Sequence, residues 1–276
     1  MRTFTAADVE IPVMALGTWR LSGEDARRMV RSALEGGYRH IDTAAMYGNE
    51  REVGEGLRDS GLARKDVFVT TKIWNDSFRS ADLERSARER LDLLGLEQVD
   101  LLLLHWPTPE VPLEETMAAL NRVLQRGWTR AIGVSNFTVE LLDRAVDASE
   151  APLAVNQVEY HPYLAQRRVK AALERHGMGL TAYSPLAHGK VAKDPVLKRI
   201  GDNHGLTPAQ VTLAWLLGQD GVLAAPKTSN AERAQQNLKA LEVTLTPEET
   251  AQISALARSD GRLINPGFAP PWDLAD

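Results

Sequence analysis

Short apolar runs alternate with amphipathic segments along the chain, and the alternation repeats eight times. In segment 80–94, for example, Leu83, Ala87 and Leu91 recur at helical spacing. Regular alternation of strands and helices gives parallel strands with helices outside, and eight such units predict a closed (β/α)8 TIM barrel rather than an open doubly wound sheet. The predicted strands lie at 14–18, 38–42, 67–72, 99–104, 130–134, 153–157, 179–183 and 222–226.

The segments outside this alternation predict the two ends of the barrel. Residues 2–12 are expected to form an N-terminal hairpin over the floor, and the proline-rich tail after about residue 258 an irregular C-terminal loop over the mouth. Thr207 and Thr246 are each followed by proline and, three positions on, by Gln or Glu, which predicts capped helix starts. With no linker or low-complexity stretch, residues 1–276 are expected to form a single domain.

Composition narrows the classes of protein and site. A net charge of -5 and a pI near 5.8 argue against a general nucleic-acid binder. The absence of cysteine excludes disulfides and thiol catalysis, and the six histidines show no metal-ligand spacing. The first residues do not read as a signal peptide, and the apolar run around Leu101–Leu104 is too short to span a membrane, so the expected location is cytoplasmic. The outer helices show no sustained apolar stripe, so we expect a monomer.

Candidate chemistry lies at the carboxyl ends of the predicted strands, where barrels of this class carry their active sites. Polar residues are common at such positions, because the chain leaves the core there. Here, however, every one of the eight ends carries a residue able to hydrogen-bond, stack on or closely approach a ligand, which predicts a functional site. These residues are Gly17, Thr18, Trp19, Asp42, Lys72, His105, Ser135, Asn136, Gln157, Tyr183, Ser184 and Lys227.

Four residues have the chemistry for proton delivery to a carbonyl: Asp42, Tyr47, Lys72 and His105. A free tyrosine has a pKa of about 10, which a neighbouring ammonium lowers. Lys72 would supply that charge, Asp42 would hold Lys72 charged, and His105 would orient the carbonyl. Taken singly, a structural ion pair, a surface tyrosine and a core histidine bonded to backbone explain the residues equally well. None of the four supplies electrons, so a hydride donor must bind.

The segments that carry these four residues resemble the aldo-keto reductases, a family of NADPH-dependent barrel oxidoreductases. The first resembling segment carries Asp42 and Tyr47, the second Lys72 and the third His105, and the similarity runs over nearly the whole chain. The short loop after His105 and the modest tail are similar to bacterial members of the 2,5-diketo-D-gluconate reductase type. In order, the segments are GYRHIDTAAMYGNEREVGEG (37–56), VFVTTKIW (67–74), VDLLLLHWP (99–107), AIGVSNF (131–137), NQVEYHP (156–162), AYSPLAHG (182–189) and APKTSNAER (225–233).

The resemblance implies roles for individual residues. Tyr47 would donate the proton, with Asp42, Lys72 and His105 completing the catalytic set. Ser135, Asn136 and Gln157 would hold the nicotinamide carboxamide, and Tyr183 would stack on its ring. The full set of implied cofactor contacts is Gly17, Thr18, Trp19, Asp42, Ser135, Asn136, Gln157, Tyr183, Ser184, Leu186, Lys227, Thr228, Ser229, Arg233 and Asn237. The implied substrate contacts are Trp19, Tyr47, Trp74, His105 and Trp106.

The choice of nicotinamide cofactor also has support from the residues themselves. Residues 228–231 are expected to open a helix after the last strand, and helix N-termini attract phosphate. Lys227 and Arg233 place two cations there, which favours NADP(H) over NAD(H). No G-x-G-x-x-G follows a predicted strand, so a Rossmann site is not expected. Two departures from the family pattern, Ala187-His188 and Gln236, leave the phosphate-covering loop and the adenine contact open.

The leading hypothesis is NADPH-dependent reduction of aldehydes or ketones, such as small polar carbonyls, keto-sugars or glyoxals. A Schiff-base lyase that uses Lys72 is a second hypothesis. It needs a neutral lysine, whereas Asp42 would keep Lys72 charged. A non-catalytic NADPH-binding subunit is a third, and such a subunit has no need of all four proton-handling groups.

Overall fold

Eight parallel strands alternate with helices in the computed structural model, which describes residues 1–273. An antiparallel hairpin of β1 (Thr3–Ala6) and β2 (Val9–Pro12) precedes them. The parallel strands are β3 (Leu16–Gly17), β4 (His40–Asp42), β5 (Phe68–Ile73), β6 (Val99–Leu104), β7 (Thr129–Ser135), β8 (Leu153–Glu159), β9 (Gly179–Tyr183) and β10 (Val222–Ala224).

Helices follow the strands and cover the outside of the sheet. In chain order they are α1 (Gly23–Glu35), α2 (Glu50–Asp59), α3 (Ser80–Leu94), α4 (Leu113–Gln125), α5 (Val139–Ala148), α6 (Arg167–Arg175), α7 (Pro195–His204), α8 (Pro208–Leu217), α9 (Ala231–Leu238) and α10 (Pro247–Ser254). Two of them, α7 and α8, lie in succession between β9 and β10. The parallel strands are buried except at Arg130 and Tyr183, because helices cover one face of the sheet and the opposite strands the other.

Backbone hydrogen bonds join the first parallel strand to the last and close the barrel. Each strand from β3 to β10 pairs with its sequence neighbour, and Ala15 N then donates to Ala224 O at 2.9 Å. Gly17 N donates to Pro226 O at 3.0 Å, and a Cβ on Gly17 would lie 2.9 Å from Ala225 O. The missing side chain therefore lets the two strands approach, and the predicted TIM barrel is confirmed.

The two ends of the barrel are covered as the sequence predicts. The hairpin turns at Ala7 and Asp8, whose φ values are 46° and 58°. Its Phe4 ring lies against Gly179, the first residue of β9, and so at the floor. Residues 259–273 form no helix or strand, and Phe268 from this tail packs on aromatic rings at the mouth.

Local signals in the sequence match several elements closely, whereas β3, β4 and β10 are shorter than predicted. Strands β6 and β9 and helix α3 have the predicted bounds, and capping boxes form at both Thr207 and Thr246. Strand β3 is shorter than the predicted 14–18, because only Leu16–Gly17 pairs with β4. Met14 forms a bridge to Ala224 of the last strand instead.

Candidate active site

A buried lysine connects an acid to a phenol at the mouth of the barrel. Lys72 of β5 is fully buried, and its Nζ lies 2.7 Å from Asp42 Oδ1 and 2.9 Å from Thr43 O. The same Nζ lies 3.3 Å from the hydroxyl of Tyr47, which ends the short 3-10 helix Ala45–Tyr47 after β4. The barrel thus brings three of the four predicted proton-handling residues into one hydrogen-bonded chain.

The charge on Lys72 is stabilised by its partners. Burial opposes the ammonium form, but the Asp42 carboxylate and the Tyr47 hydroxyl outweigh it and raise the pKa of Lys72 above its usual value. Burial is also the largest influence on Tyr47 and raises the pKa of its hydroxyl, while Lys72 opposes that rise. The expectation of a lowered tyrosine pKa is therefore wrong, because desolvation outweighs the ammonium. Tyr47 keeps its proton near neutrality and can donate it.

His105 follows β6 and faces the same space. Its backbone N donates to Ile73 O at 3.0 Å, and its ring meets the rings of Tyr47 and Trp74 edge-on at 5.7 and 5.2 Å. Burial, together with the Lys72 charge, holds the pKa of His105 well below 6.5, so the imidazole is neutral. Within residues 1–273 its buried Nδ1 has no hydrogen-bond partner, which argues against a core histidine bonded to backbone.

Gln157 and Ser135, two predicted nicotinamide ligands, are connected to the Asp42 carboxylate. Gln157 Nε2 donates to Asp42 Oδ2 at 2.7 Å, and Ser135 Oγ donates to Gln157 O at 2.8 Å. Both side chains are buried at the ends of neighbouring strands. Asp42 therefore uses one carboxylate oxygen for Lys72 and the other for Gln157, which fixes its orientation.

Asn136 and Tyr183, two further predicted nicotinamide contacts, form a second connection to the site. Asn136 adopts a φ of 64°, and its Nδ2 donates to His105 O at 3.0 Å. The Tyr183 hydroxyl donates to Asn136 Oδ1 at 2.8 Å, and its half-buried ring lies at the end of β9. The predicted nicotinamide-binding residues thus lie beside the proton-handling group, and their contacts to a cofactor stay a prediction.

The turn after β3 places Thr18 and Trp19 at the rim of the site. Thr18 donates twice to Asp42 O, from its backbone N and its Oγ1, each at 3.0 Å. The half-buried Trp19 ring stacks on His188 at 6.4 Å, and the Arg20 guanidinium lies 4.2 Å from the same ring. The mouth is therefore bridged from the β3 end to the loop after β9.

The Ala187-His188 departure has a clear local consequence. Ala187 and His188 have φ values of 47° and 53°, in the left-handed region that glycine adopts most readily. Ser184, at φ 47°, has its Oγ 3.4 Å from His188 Nε2, and Leu186 before the turn is half-buried. Positions 187 and 188 keep a glycine-like path without being glycine, and the His188 ring stacks on Trp19.

The predicted phosphate-binding residues lie around the start of α9. This helix begins at Ala231, the last residue of the predicted 228–231 opening, and Asn230 caps it by accepting from Arg233 N through Oδ1 at 2.9 Å. Lys227 and Arg233 are exposed, and neither has an ion pair among residues 1–273. Nearby, Thr228 is half-buried, Ser229 is exposed and Asn237 is buried.

Aromatic rings line the opening above His105. Trp106 is nearly buried, whereas Phe268 is 49% exposed, and their ring centroids lie 5.4 Å apart. Phe268 also meets Trp74 edge-on at 5.7 Å. Trp74 and Trp106 lie where the sequence predicts substrate contacts. Phe268 was missed, because an isolated aromatic residue in an irregular tail has no pattern that marks it.

Asn49 is a second residue that sequence reasoning missed. It is 1% exposed, and its Nδ2 donates to Thr18 O at 2.9 Å and Leu21 O at 2.8 Å. Its Oδ1 accepts from Thr43 Oγ1 at 2.9 Å. The amide ties the loop that carries Tyr47 to the turn after β3, and its position two residues after the tyrosine is the signal that could have revealed it.

Two further structural features are absent from residues 1–273. None of the helices there is long and apolar enough to cross a membrane. No group of three or more His, Cys, Asp or Glu side chains in that part of the chain is arranged to hold a metal ion.

Known proteins similar to this chain share its length and its fold. A model described as "Aldo/keto reductase family" matches residues 13–258. Methylglyoxal reductase DkgB of Escherichia coli O157:H7 is 44% identical over 267 residues, which cover 95% of this chain and 99% of that protein. A crystal structure provisionally described as 2,5-diketo-D-gluconic acid reductase B has a TM-score of 0.97 and 46% identity, covering 99% of this chain and 98% of that one. A Bombyx mori aldo-keto reductase in complex with NADP has a TM-score of 0.86 and 32% identity, covering 93% and 92%.

Proposed function

The chain belongs to the aldo/keto reductase family, and we propose that it reduces small polar aldehydes and ketones to alcohols with NADPH as hydride donor and Tyr47 as proton donor. The observation that carries this proposal is the buried chain from Asp42 through Lys72 to the Tyr47 hydroxyl. The family model matches residues 13–258 in one stretch, which supports a single domain over 1–276.

Each catalytic side chain has a role in this reaction. Bound NADPH would supply the hydride. The neutral His105 imidazole donates a hydrogen bond to the carbonyl oxygen and orients it, and Tyr47 transfers its phenolic proton to that oxygen as negative charge develops there. Lys72 stabilises the resulting phenolate, and Asp42 keeps Lys72 protonated and in place.

The chain's residues fit NADP(H). Exposed Lys227 and Arg233 flank the N-terminal turn of α9, where backbone N–H groups and the helix dipole favour a phosphate. The half-buried Tyr183 ring offers a flat surface at the end of β9, where its hydroxyl donates to Asn136 Oδ1. The complex of the Bombyx mori relative with NADP supports the same assignment.

The substrate class draws on the relatives and on the opening itself. The relatives named for methylglyoxal and 2,5-diketo-D-gluconic acid support glyoxals and keto-sugars as substrates. The opening combines the polar Tyr47 and His105 with the rings of Trp74 and Trp106, so it suits a carbonyl that carries a short polar chain.

The test is NADPH oxidation by the purified protein with glyoxals, keto-sugars and nitrobenzaldehydes. We expect one NADPH oxidised per alcohol formed, with NADH a poorer donor. A protein that binds NADPH but oxidises none with any carbonyl would instead be a binding subunit. The lyase alternative is opposed by the raised pKa of Lys72, because a Schiff base needs the neutral amine. Borohydride trapping of a carbonyl on Lys72 would revive it.

A further inference from the structure

A second buried carboxylate, outside the catalytic group, holds the C-terminal tail. Glu159 is the last residue of β8 and is fully buried. Its Oε1 accepts from Leu263 N at 2.7 Å, and its Oε2 accepts from Ile264 N at 2.9 Å. His161 Nε2 lies 2.9 Å from Oε1. The proton-transfer chemistry makes no use of this carboxylate.

The contacts of Glu159 account for its burial. An ionised carboxylate away from water is costly unless it is paired and hydrogen-bonded. Two of its partners are backbone N–H groups of the tail, and Arg262 Nη1 from the same tail lies 4.0 Å from Oε2. Charge-assisted hydrogen bonds of this kind are stronger than neutral ones. The tail is therefore attached to the barrel at residues 262–264 and again at Asp273, whose carboxylate accepts from Val139 N at 3.1 Å.

The attached segment leads directly to the substrate opening. Phe268 lies four residues after Ile264, within a turn in which Ala269 N donates to Pro266 O at 2.9 Å. The Phe268 ring meets Trp74 at 5.7 Å, and Trp74 meets His105 at 5.2 Å. Contacts thus run from Glu159 through the tail to the ring beside the proposed carbonyl site.

The tail has a second contact with the opening. The Arg262 guanidinium lies 3.6 Å from the Trp272 ring, and that ring meets Trp106 at 5.9 Å. Trp272 Nε1 donates to Asn265 Oδ1 at 2.8 Å, which folds the tail back on itself. Between the anchor and Trp272, Phe268 is 49% exposed, so its ring is available to a ligand.

We propose that Glu159 is a positioning residue for substrate selection: by anchoring residues 263–264, it holds Phe268 as one wall of the substrate opening. The inference rests on the proposed reductase function. Substrates with an aromatic or long apolar part contact that wall, whereas a three-carbon dicarbonyl reaches only the groups around Tyr47. Glu159 therefore affects KM for the first class and leaves kcat and the second class nearly unchanged.

The E159Q variant tests the anchor with almost no change in shape. In either orientation of the new amide, its NH2 group faces Leu263 N or Ile264 N, so one tail N–H loses its acceptor. We expect KM for 4-nitrobenzaldehyde to rise about three- to tenfold, and KM for methylglyoxal to change less than about twofold. The F268A variant should give the same profile, and the double variant should be no worse than F268A.

Amide hydrogen exchange reports directly on whether Glu159 anchors the tail. The Leu263 and Ile264 amides should exchange faster in E159Q than in the wild type, with NADPH affinity unchanged. The same substitution at exposed Glu10 on the floor hairpin should change neither the exchange of these amides nor KM for 4-nitrobenzaldehyde. A wild-type KM for the aromatic aldehyde in E159Q, or an additive double variant, would overturn the anchor. A wild type that reduces no carbonyl would instead overturn the proposed function, while the amide exchange would still report on the anchor.

Discussion

Two buried ion pairs lie on opposite faces of β5 and differ in what surrounds them. Lys72 points into the barrel and pairs with Asp42 at 2.7 Å. The preceding residue, Thr71, points outward and donates to Glu50, which pairs with Arg90 of α3 at 3.1 Å. The inner pair reaches a half-buried phenol at the mouth, whereas the outer pair is enclosed between the sheet and two helices.

Burial of a charge pair does not by itself mark an active site. Breaking either pair leaves an uncompensated buried charge. Only the inner pair contacts a group, Tyr47, that can exchange a proton with a ligand. We therefore expect changes to either pair to lower stability, and only changes to the inner pair to lower kcat as well.

The largest expected effect comes from the inner pair. Replacing Lys72 with Met removes the charge that stabilises the Tyr47 phenolate, so kcat for carbonyl reduction should fall about 10²–10⁴-fold. NADPH binding should persist, which would show that the barrel is folded. Quenching of protein fluorescence by NADPH measures this binding. A K72M variant with near wild-type kcat would show that the inner pair, like the outer one, serves stability and not catalysis.

The matching change on the outer face should lower the stability of the protein and leave kcat nearly unchanged. Replacing Arg90 with Met leaves the Glu50 carboxylate buried without its cation, which should lower the free energy of unfolding by about 3–5 kcal/mol at pH 8. The loss should be smaller at pH 6, where Glu50 can take up a proton. Urea unfolding at the two pH values measures it, and kcat of the folded protein should stay within about threefold. A large fall in kcat at unchanged stability would contradict the division.

Glu50 itself should give the wild type a pH-dependent stability. Burial raises the pKa of Glu50 from 4.5 to about 7, with Arg90 and Thr71 opposing the rise. The unfolded chain then releases this proton at lower pH than the folded one, so the contribution is fully present below pH 4.5 and is lost as pH rises toward 7. Relative to E50Q, the free energy of unfolding should fall by about 2 kcal/mol between pH 5 and 7.5. Parallel curves for the two proteins would show that Glu50 titrates normally.

Two exposed cations near the start of α9 differ from both buried pairs. Lys227 and Arg233 are exposed, and neither is ion-paired in the part of the chain that the structure describes. Changing both to Ala should weaken NADPH at least about tenfold more than NADH, because contacts to the charged 2′-phosphate are lost. Titration of each cofactor measures the ratio. Equal weakening of NADPH and NADH would remove these residues from 2′-phosphate binding.

The sequence predicts elements with strong local signals well. The apolar run of β6 and the helical spacing of α3 gave their bounds, because periodicity and burial agree there. Strand β3 was predicted too long, since its pairing depends on Pro226 and Ala224, which lie about 210 residues away along the chain.

The candidate site was predictable where a residue type sits at a strand end, as with Lys72 and His105. Its electrostatics were not, because the pKa of Tyr47 depends on how far the folded chain removes the hydroxyl from water. Phe268 and the buried carboxylate of Glu159 were missed for a related reason. Their contacts join an irregular tail to a distant strand, and no periodic pattern records such a contact.

The central claim is that the inner pair serves proton donation by Tyr47. The most direct test is the rate of NADPH oxidation by Y47F with methylglyoxal, alongside NADPH titration of the same sample. The variant removes one hydroxyl and leaves the ring, so we predict a fall in kcat of about 10²–10⁴-fold with NADPH affinity within about twofold of wild type. Wild-type turnover by a Y47F protein that binds NADPH normally would contradict the account.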